Sequence, residues 1–159
     1  MINVRLQIGD GEILDTVDAY GLVYVSADNR FSAPIKQRVV TTFAEEEGEH
    51  ISTKSIDDAF DYKVTWFVKA NGSLDNANKV IARFNSMLYE QKDGESIKNF
   101  KQVSFYNDYK KVKIVGIPSP IADATEFWRD ASGLQHDVVC VEWIIRVSKP
   151  SLCDFNLTE

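Results

Sequence analysis

Tyr62-Lys63-Val64-Thr65-Trp66-Phe67-Val68-Lys69 is the stretch on which the fold turns. Val64, Trp66 and Val68 fall on one side of an extended chain and Lys63, Thr65 and Lys69 on the other, with Phe67 the exception. That alternation predicts a half-buried strand. Asn71-Gly72-Ser73 breaks it, and Ser73 is placed to cap a helix, its hydroxyl accepting from a free amide of the first turn while Asp75 suits the helix dipole. From Ala77 the apolar residues recur as Val80, Ile81, Phe84, Met87 and Leu88, leaving Lys79, Arg83 and Glu90 for water. A lone amphipathic helix between strands covers its own sheet, because a bare stripe of that size would hold apolar surface in water.

Working outward, Lys92-Asp93-Gly94-Glu95-Ser96 reads as the end of the helix, with Gly94 suited to a left-handed cap. Residues 101–105 and 111–115 flank Tyr106-Asn107-Asp108-Tyr109, whose Asn-Asp pair tolerates the positive φ of a tight turn; together they predict a hairpin. Lysines alternating with Val112 and Ile114 imply one wet and one packed face rather than a deep central strand. Residues 21–25 and 35–43 are strand-like, the second introduced by Pro34. The longest β pattern runs from Val138 to Val147, with Val139, Val141, Trp143, Ile145 and Val147 on one face and Cys140, Glu142, Ile144 and Arg146 on a partly covered other. Before it, Pro118-Ser119-Pro120 opens a polar connection with room for a short helical turn over residues 125–129, where Phe127 and Trp128 either anchor the loop or face a partner. The expected fold is α+β, mainly antiparallel β, a sandwich-like or split-barrel sheet with one amphipathic helix packed on it. It forms a single domain over residues 1–159, with the stretch past about residue 150 read as a loose tail.

At 159 residues, 44% hydrophobic and 26% charged, the composition is that of an ordinary globular domain. No run of about twenty apolar residues is present, and Met1-Ile2-Asn3-Val4-Arg5-Leu6 lacks the basic and then apolar regions of a signal peptide, so no membrane partner and a cytoplasmic origin are expected. A net charge of -6 argues against a nucleic-acid backbone as partner, since such binding draws on clustered Lys and Arg. The densest basic group is Lys110-Lys111 with Lys113. Alternation sends Lys111 and Lys113 to one face, either a contact for an anion or a solvated surface that discourages edge pairing.

Glu45-Glu46-Glu47-Gly48-Glu49-His50 is the most concentrated group of ionisable side chains. Glu45, Glu47, Glu49 and His50 are the candidates for a hard cation. The alternate ligand spacing of a calcium loop is absent, however, and a solvated, self-repelling loop is the plainer reading. Asp57-Asp58 and Asp61 extend the acidic surface. His50 and His136 stand outside any His-Glu-x-x-His arrangement, and His136 and Asp137, adjacent on an extended chain, point to opposite faces. Cys140, mid-strand among apolar neighbours, predicts an inert buried thiol, and no disulfide with Cys153 is expected. No catalytic residue and no cofactor follow from these motifs.

The order of elements resembles the amino-terminal domain of the distal tail protein family of long-tailed phages. The matching stretches are residues 38–43, the 45–49 loop, residues 62–69, residues 77–88, Phe105-Tyr106-Asn107-Asp108-Tyr109 with Val112 and Ile114, and residues 138–150. The resemblance covers roughly residues 21–150. Two departures stand out. The family's loop after the second strand carries proline, glycine and a basic residue where this chain has Ala44 and a glutamate run, and many members add a carbohydrate-binding-like domain not contained in residues 1–159. The resemblance implies a non-catalytic homo-oligomer, a ring typically of six joining tail tube to baseplate beside other tail proteins, made in the host cytoplasm and then carried in the virion tail. Phe127, Trp128, Lys111 and Lys113 are the candidate interaction surface. The competing reading is a small carbohydrate- or calcium-dependent binding module using Phe127, Trp128 and the acidic loop.

Overall fold

The computed structural model describes residues 4–30, 32–36, 40–41, 50–51 and 57–157. Its strands are β1 (Val4–Ile8), β2 (Leu14–Asp15), β3 (Val23–Ala27), β4 (Val40–Thr41), β5 (His50–Ile51), β6 (Phe60–Lys69), β7 (Tyr89–Glu90), β8 (Asn99–Phe100), β9 (Val103–Asn107), β10 (Val112–Pro118) and β11 (Val138–Val147). Two α-helices, α1 (Thr16–Tyr20) and α2 (Leu74–Met87), complete it with a 3-10 turn at Pro150–Leu152. Seven strands form one antiparallel sheet in the order β2-β1-β9-β10-β11-β6-β3, while β4-β5 and β7-β8 are separate two-stranded sheets. This is the expected α+β class, mainly antiparallel, with one main helix.

The sheet curls on itself. In a flat sheet β9 and β6 would lie about 14 Å apart, three strand spacings, yet the rings of Phe105 on β9 and Trp66 on β6 meet edge to face at 5.8 Å. The bend is at β10, which pairs with β9 through Val112–Gly116 and with β11 only through Ile117 and Pro118. Gly116 occupies the crossing point, where a Cβ would lie 2.4 Å from the Arg146 carbonyl oxygen. A strand that changes sheets needs a corner of this kind.

β6 and β11 pair in register from Val138↔Lys69 to Val147↔Phe60 and present alternating buried faces. Val64, Trp66 and Val68 are buried as the alternation predicts, as are Val139, Val141, Trp143, Ile145 and Val147. Helix α2 lays Ala77, Ile81 and Phe84, and its C-cap Leu88, into this concave core, with Phe84 meeting Trp143 at 5.4 Å and Tyr20 at 5.4 Å. Ser73 is its N-cap, Oγ accepting from the Asp75 amide at 3.2 Å.

Several local expectations are corrected. The helix ends at Met87 rather than at Gly94, because Tyr89–Glu90 passes straight into pairing with Asn99–Phe100; Gly94, at φ 80°, sits between those strands. β10 is the middle strand of seven, since facial alternation reports which side is wet and not where a strand lies within its sheet. Residues 125–129 form no helical turn; Arg129 instead bridges Gln135. Of the strand read over 35–43, the described residues show a bridge at Ile35 and strand at Val40–Thr41, the others lying outside the description. Residues past 150 are bonded to β10 and the residue before it: Lys113 and Asp154 exchange backbone bonds of 2.7 and 2.9 Å, and the Leu157 amide donates to the Lys111 carbonyl at 2.8 Å. Phe155 also meets Phe60 at 6.2 Å.

Candidate interaction surface

The turn joining β9 to β10 is built from the inside. Asn107 is buried, its Oδ1 accepting from the amides of Tyr109 at 3.0 Å and Lys110 at 3.2 Å, and its Nδ2 donating to the Tyr24 hydroxyl at 3.1 Å. The positive φ expected at Asn107-Asp108 falls instead on Lys111, at 56°, because Asn107 serves as the side-chain brace of the turn. Tyr109 stacks on Tyr24 with centroids 5.3 Å apart. Beneath it, burial and the nearby Tyr24 phenol raise the Tyr62 pKa well above its ordinary value.

On the outward face, Arg5, Tyr106 and Lys113 stand directly across from one another on β1, β9 and β10. The Arg5 guanidinium lies 5.2 Å and the Lys113 ammonium 5.4 Å from the Tyr106 ring centroid, a cationic row seated on an aromatic. Arg5 also reaches Asp108 at 3.5 Å. Lys110 and Lys111 are exposed beside this row.

Phe127 and Trp128 lie elsewhere. The Trp128 amide donates to the Val138 carbonyl at 2.8 Å, at the start of β11, whereas Lys113 is bonded to Asp154, beyond its end. A ten-residue strand, about 33 Å long, separates the two places. Both aromatics are half-buried, and Trp128 covers Phe67 at 4.9 Å and meets His136 at 5.0 Å. Phe67, the exception to the alternation of β6, is thus an outward aromatic with a lid of its own.

Within the same loop the His136 Nε2 lies 2.8 Å from Asp130 Oδ2, while Asp137 accepts from the Gly72 amide at 2.8 Å. The sequence neighbours therefore diverge, and the imidazole finds a carboxylate six positions upstream. Asp130 Oδ1 also accepts from the Ser132 hydroxyl at 2.6 Å, the Ser132 amide at 2.9 Å and the Leu134 amide at 3.0 Å. The Ser132 hydroxyl first, then His136, holds this carboxyl well below the usual carboxylate range. The signal for this turn was present in Asp130-Ala131-Ser132-Gly133, a side-chain-braced turn closing on a glycine at φ 87°.

Glu45, Glu47 and Glu49 lie outside the described residues, as does the side chain of His50, whose backbone pairs with Thr41. Among the described residues no group of three or more His, Cys, Asp or Glu side chains is placed to hold a metal ion. Cys140 is exposed rather than buried, because Val139 and Val141, apolar neighbours in sequence, point to the opposite face. The outward face of β11 is covered less than expected. Cys140, Glu142, Ile144 and Arg146 all meet solvent, Glu142 near Lys63 at 3.6 Å and Arg146 near Asp61 at 3.3 Å. Partial burial, then the Glu142 charge, raises the Cys140 thiol; burial raises the half-buried Cys153 thiol, which accepts from the Val115 amide at 3.4 Å. Both thiols are free and poorly ionised at neutral pH.

Two edges bound the main sheet. β2 is two residues long, and β3 is hydrogen-bonded to β6 on one side, with a register shift between Tyr24 and Ser26 that leaves Val25 out of the ladder and exposed. Among the described residues β4 and β5 pair with each other and with no strand of the main sheet. Among the described residues no helix is long and apolar enough to cross a membrane. The chain matches no protein-family model and shows no significant sequence match to a curated protein.

Proposed function

We propose that the protein is a structural component of a phage or prophage tail, self-assembling into a ring that joins the tail tube to the baseplate and working without catalysis. The observation that carries this reading is the β4-β5 pair, which among the described residues is hydrogen-bonded to no strand of the main sheet. An isolated two-stranded sheet is marginal in water and gains its stability by packing on something else. A neighbouring subunit supplies that surface in a ring. The edge at β3, which among the described residues is paired on one side only, adds a second place where backbone donors and acceptors can meet another chain. The order of elements, strand, helix, hairpin and long last strand, agrees with the resemblance to the distal tail proteins. A net charge of -6 suits a ring through which DNA passes without sticking.

The test is the absolute mass of the purified chain by light scattering over a range of concentrations, followed by electron microscopy of the assembled fraction. A closed oligomer of six with a central opening is the expected result. A chain that stays monomeric throughout, and changes its behaviour on addition of calcium or sugar, would replace the ring with a binding module.

A further inference from the structure

We propose that the turn between β9 and β10 of one copy, Tyr109 to Lys111, docks into an acidic cleft beside β11 on the next copy. The proposal rests on the self-assembly reading and names the contact between neighbours. The connection that follows β10 stands over the outward face of β11 and encloses a cleft of about 440 Å³, lined among others by Pro120, Asp123, Glu126, Cys140, Glu142 and Ile144. Its wall is held in place although it contains no helix. Asn85 exchanges two side-chain bonds of 2.8 Å with the backbone of Ile121, and Asn78 bonds Ala124 in the same way at 2.8 and 3.1 Å. At the other end the Ser119 amide donates to the Ile144 carbonyl at 2.8 Å, and the Ser119 carbonyl accepts from Trp143 Nε1 at 2.7 Å. A cleft fixed by its own bonds loses little conformational freedom when a partner enters it. Lys63 answers Glu142 at 3.6 Å, whereas Asp123 and Glu126 are exposed and, among the described residues, form no ion pair.

The turn is the complement. In a chain of net charge -6 it carries adjacent lysines on a backbone that Asn107 braces through two amide bonds and the Leu157 amide ties at the Lys111 carbonyl. Tyr109 is 58% exposed although it stacks on Tyr24. Lys110 reaches the uncharged Asn29 and so keeps its charge, and Lys111 is exposed. An aromatic flanked by two cations thus matches a cleft whose apolar part is Pro120 and Ile144 and whose unpaired charges are Asp123 and Glu126. One copy cannot make this contact with itself. Six residues separate Lys111 from Ile117, and four more separate Arg146, the partner of Ile117, from Glu142. That is about 33 Å of chain, and a right-angle bend at the Gly116 corner still leaves the ends about 24 Å apart. Different patches meeting head to tail also make the kind of interface that closes rings.

The deciding experiment uses two variants of the full chain, Lys110→Glu with Lys111→Glu, and Asp123→Lys with Glu126→Lys. Both are checked for an unchanged circular dichroism spectrum, and masses are read by light scattering at low and high salt. Each variant alone should need at least about tenfold more protein to assemble than the unaltered chain, and the unaltered assembly should weaken as salt is added. Mixing the two in equal amounts should restore the mass, because every turn then meets a cleft of opposite charge on the other variant. Asp123→Asn with Glu126→Gln, which keeps the side-chain shapes, should weaken assembly in the same direction and serves if a charge reversal disturbs folding. Weakening by one variant and not the other, or no recovery on mixing, would mean that the two surfaces are not partners and would overturn the proposal. Assembly of all variants like the unaltered chain would overturn it while leaving the ring intact; an unaltered chain that never assembles would overturn both.

Discussion

Gly116→Ala should be among the most damaging small substitutions in this protein, although it adds one methyl group. The added Cβ would lie 2.4 Å from the Arg146 carbonyl oxygen, 2.9 Å from its carbon and 2.8 Å from Ile145 Cγ2. Two of those atoms are backbone of β11, which is locked to β6 along ten residue pairs and cannot retreat locally. The strain would fall on the two residue pairs, Ile117↔Arg146 and Pro118↔Ile145, that join the halves of the curled sheet. Overpacking a core costs about 1–3 kcal/mol, and a collision with fixed backbone belongs at or above the upper end, about 3 kcal/mol. For a chain of this size that is a fall in Tm of roughly 6–12 °C. Gly72→Ala is the control: its φ of 88° strains any side chain, but nothing lies within 4 Å of the added atom, so the loss should be nearer 1–2 kcal/mol, about what a left-handed conformation costs. Urea unfolding followed by tryptophan fluorescence reads both, since Trp66 and Trp143 are buried in the affected core. If Gly116→Ala proves no worse than Gly72→Ala, the corner at β10 is not held as described.

Phe84→Ala should cost about 3–5 kcal/mol in the same assay, because the ring is 1% exposed and bridges Tyr20 to Trp143; a loss under about 1 kcal/mol would mean that α2 does not seal the core. Tyr62 has its folded pKa raised, so its neutral form favours the folded state and stability should fall as pH rises past the ordinary tyrosine value of 10.0. Tyr62→Phe should flatten that alkaline decline, and an unchanged slope would remove Tyr62 as its source. Asp130 has its folded pKa lowered, so its contribution is present above the ordinary carboxylate value of 3.8 and is lost as pH falls below it. The Ser132 and Leu134 amide resonances should titrate with a midpoint below 3.8, and a midpoint at or above it would mean the turn is not braced by the carboxylate.

Periodicity alone determined the parts of this protein that depend on which face of an element is apolar. The buried row of β6, the stripe and Ser73 cap of α2, and β11 with its limits at Val138 and Val147 all follow from side-chain alternation and short-range capping. Three kinds of feature were beyond that reach. Val4–Ile8 and Thr16–Tyr20 are short elements of mixed character, the first mostly a partner for β9 and the second capped by Asp15 at both the Val17 and Asp18 amides, so neither shows a strong period of its own. Cys140 lies among valines in sequence and faces water in space, because adjacent residues of a strand occupy opposite sides. The candidate surface shows the division most clearly. Lys111 and Lys113 are conspicuous in sequence, but their separation from Phe127 and Trp128 is set by the length of β11, and the company of Arg5 and Tyr106 by strands far apart in the chain. Local chemistry decides what each side chain can offer and which way its element turns it; the curl of the sheet, fixed by a glycine that lets two backbones approach, decides which of those offers meet.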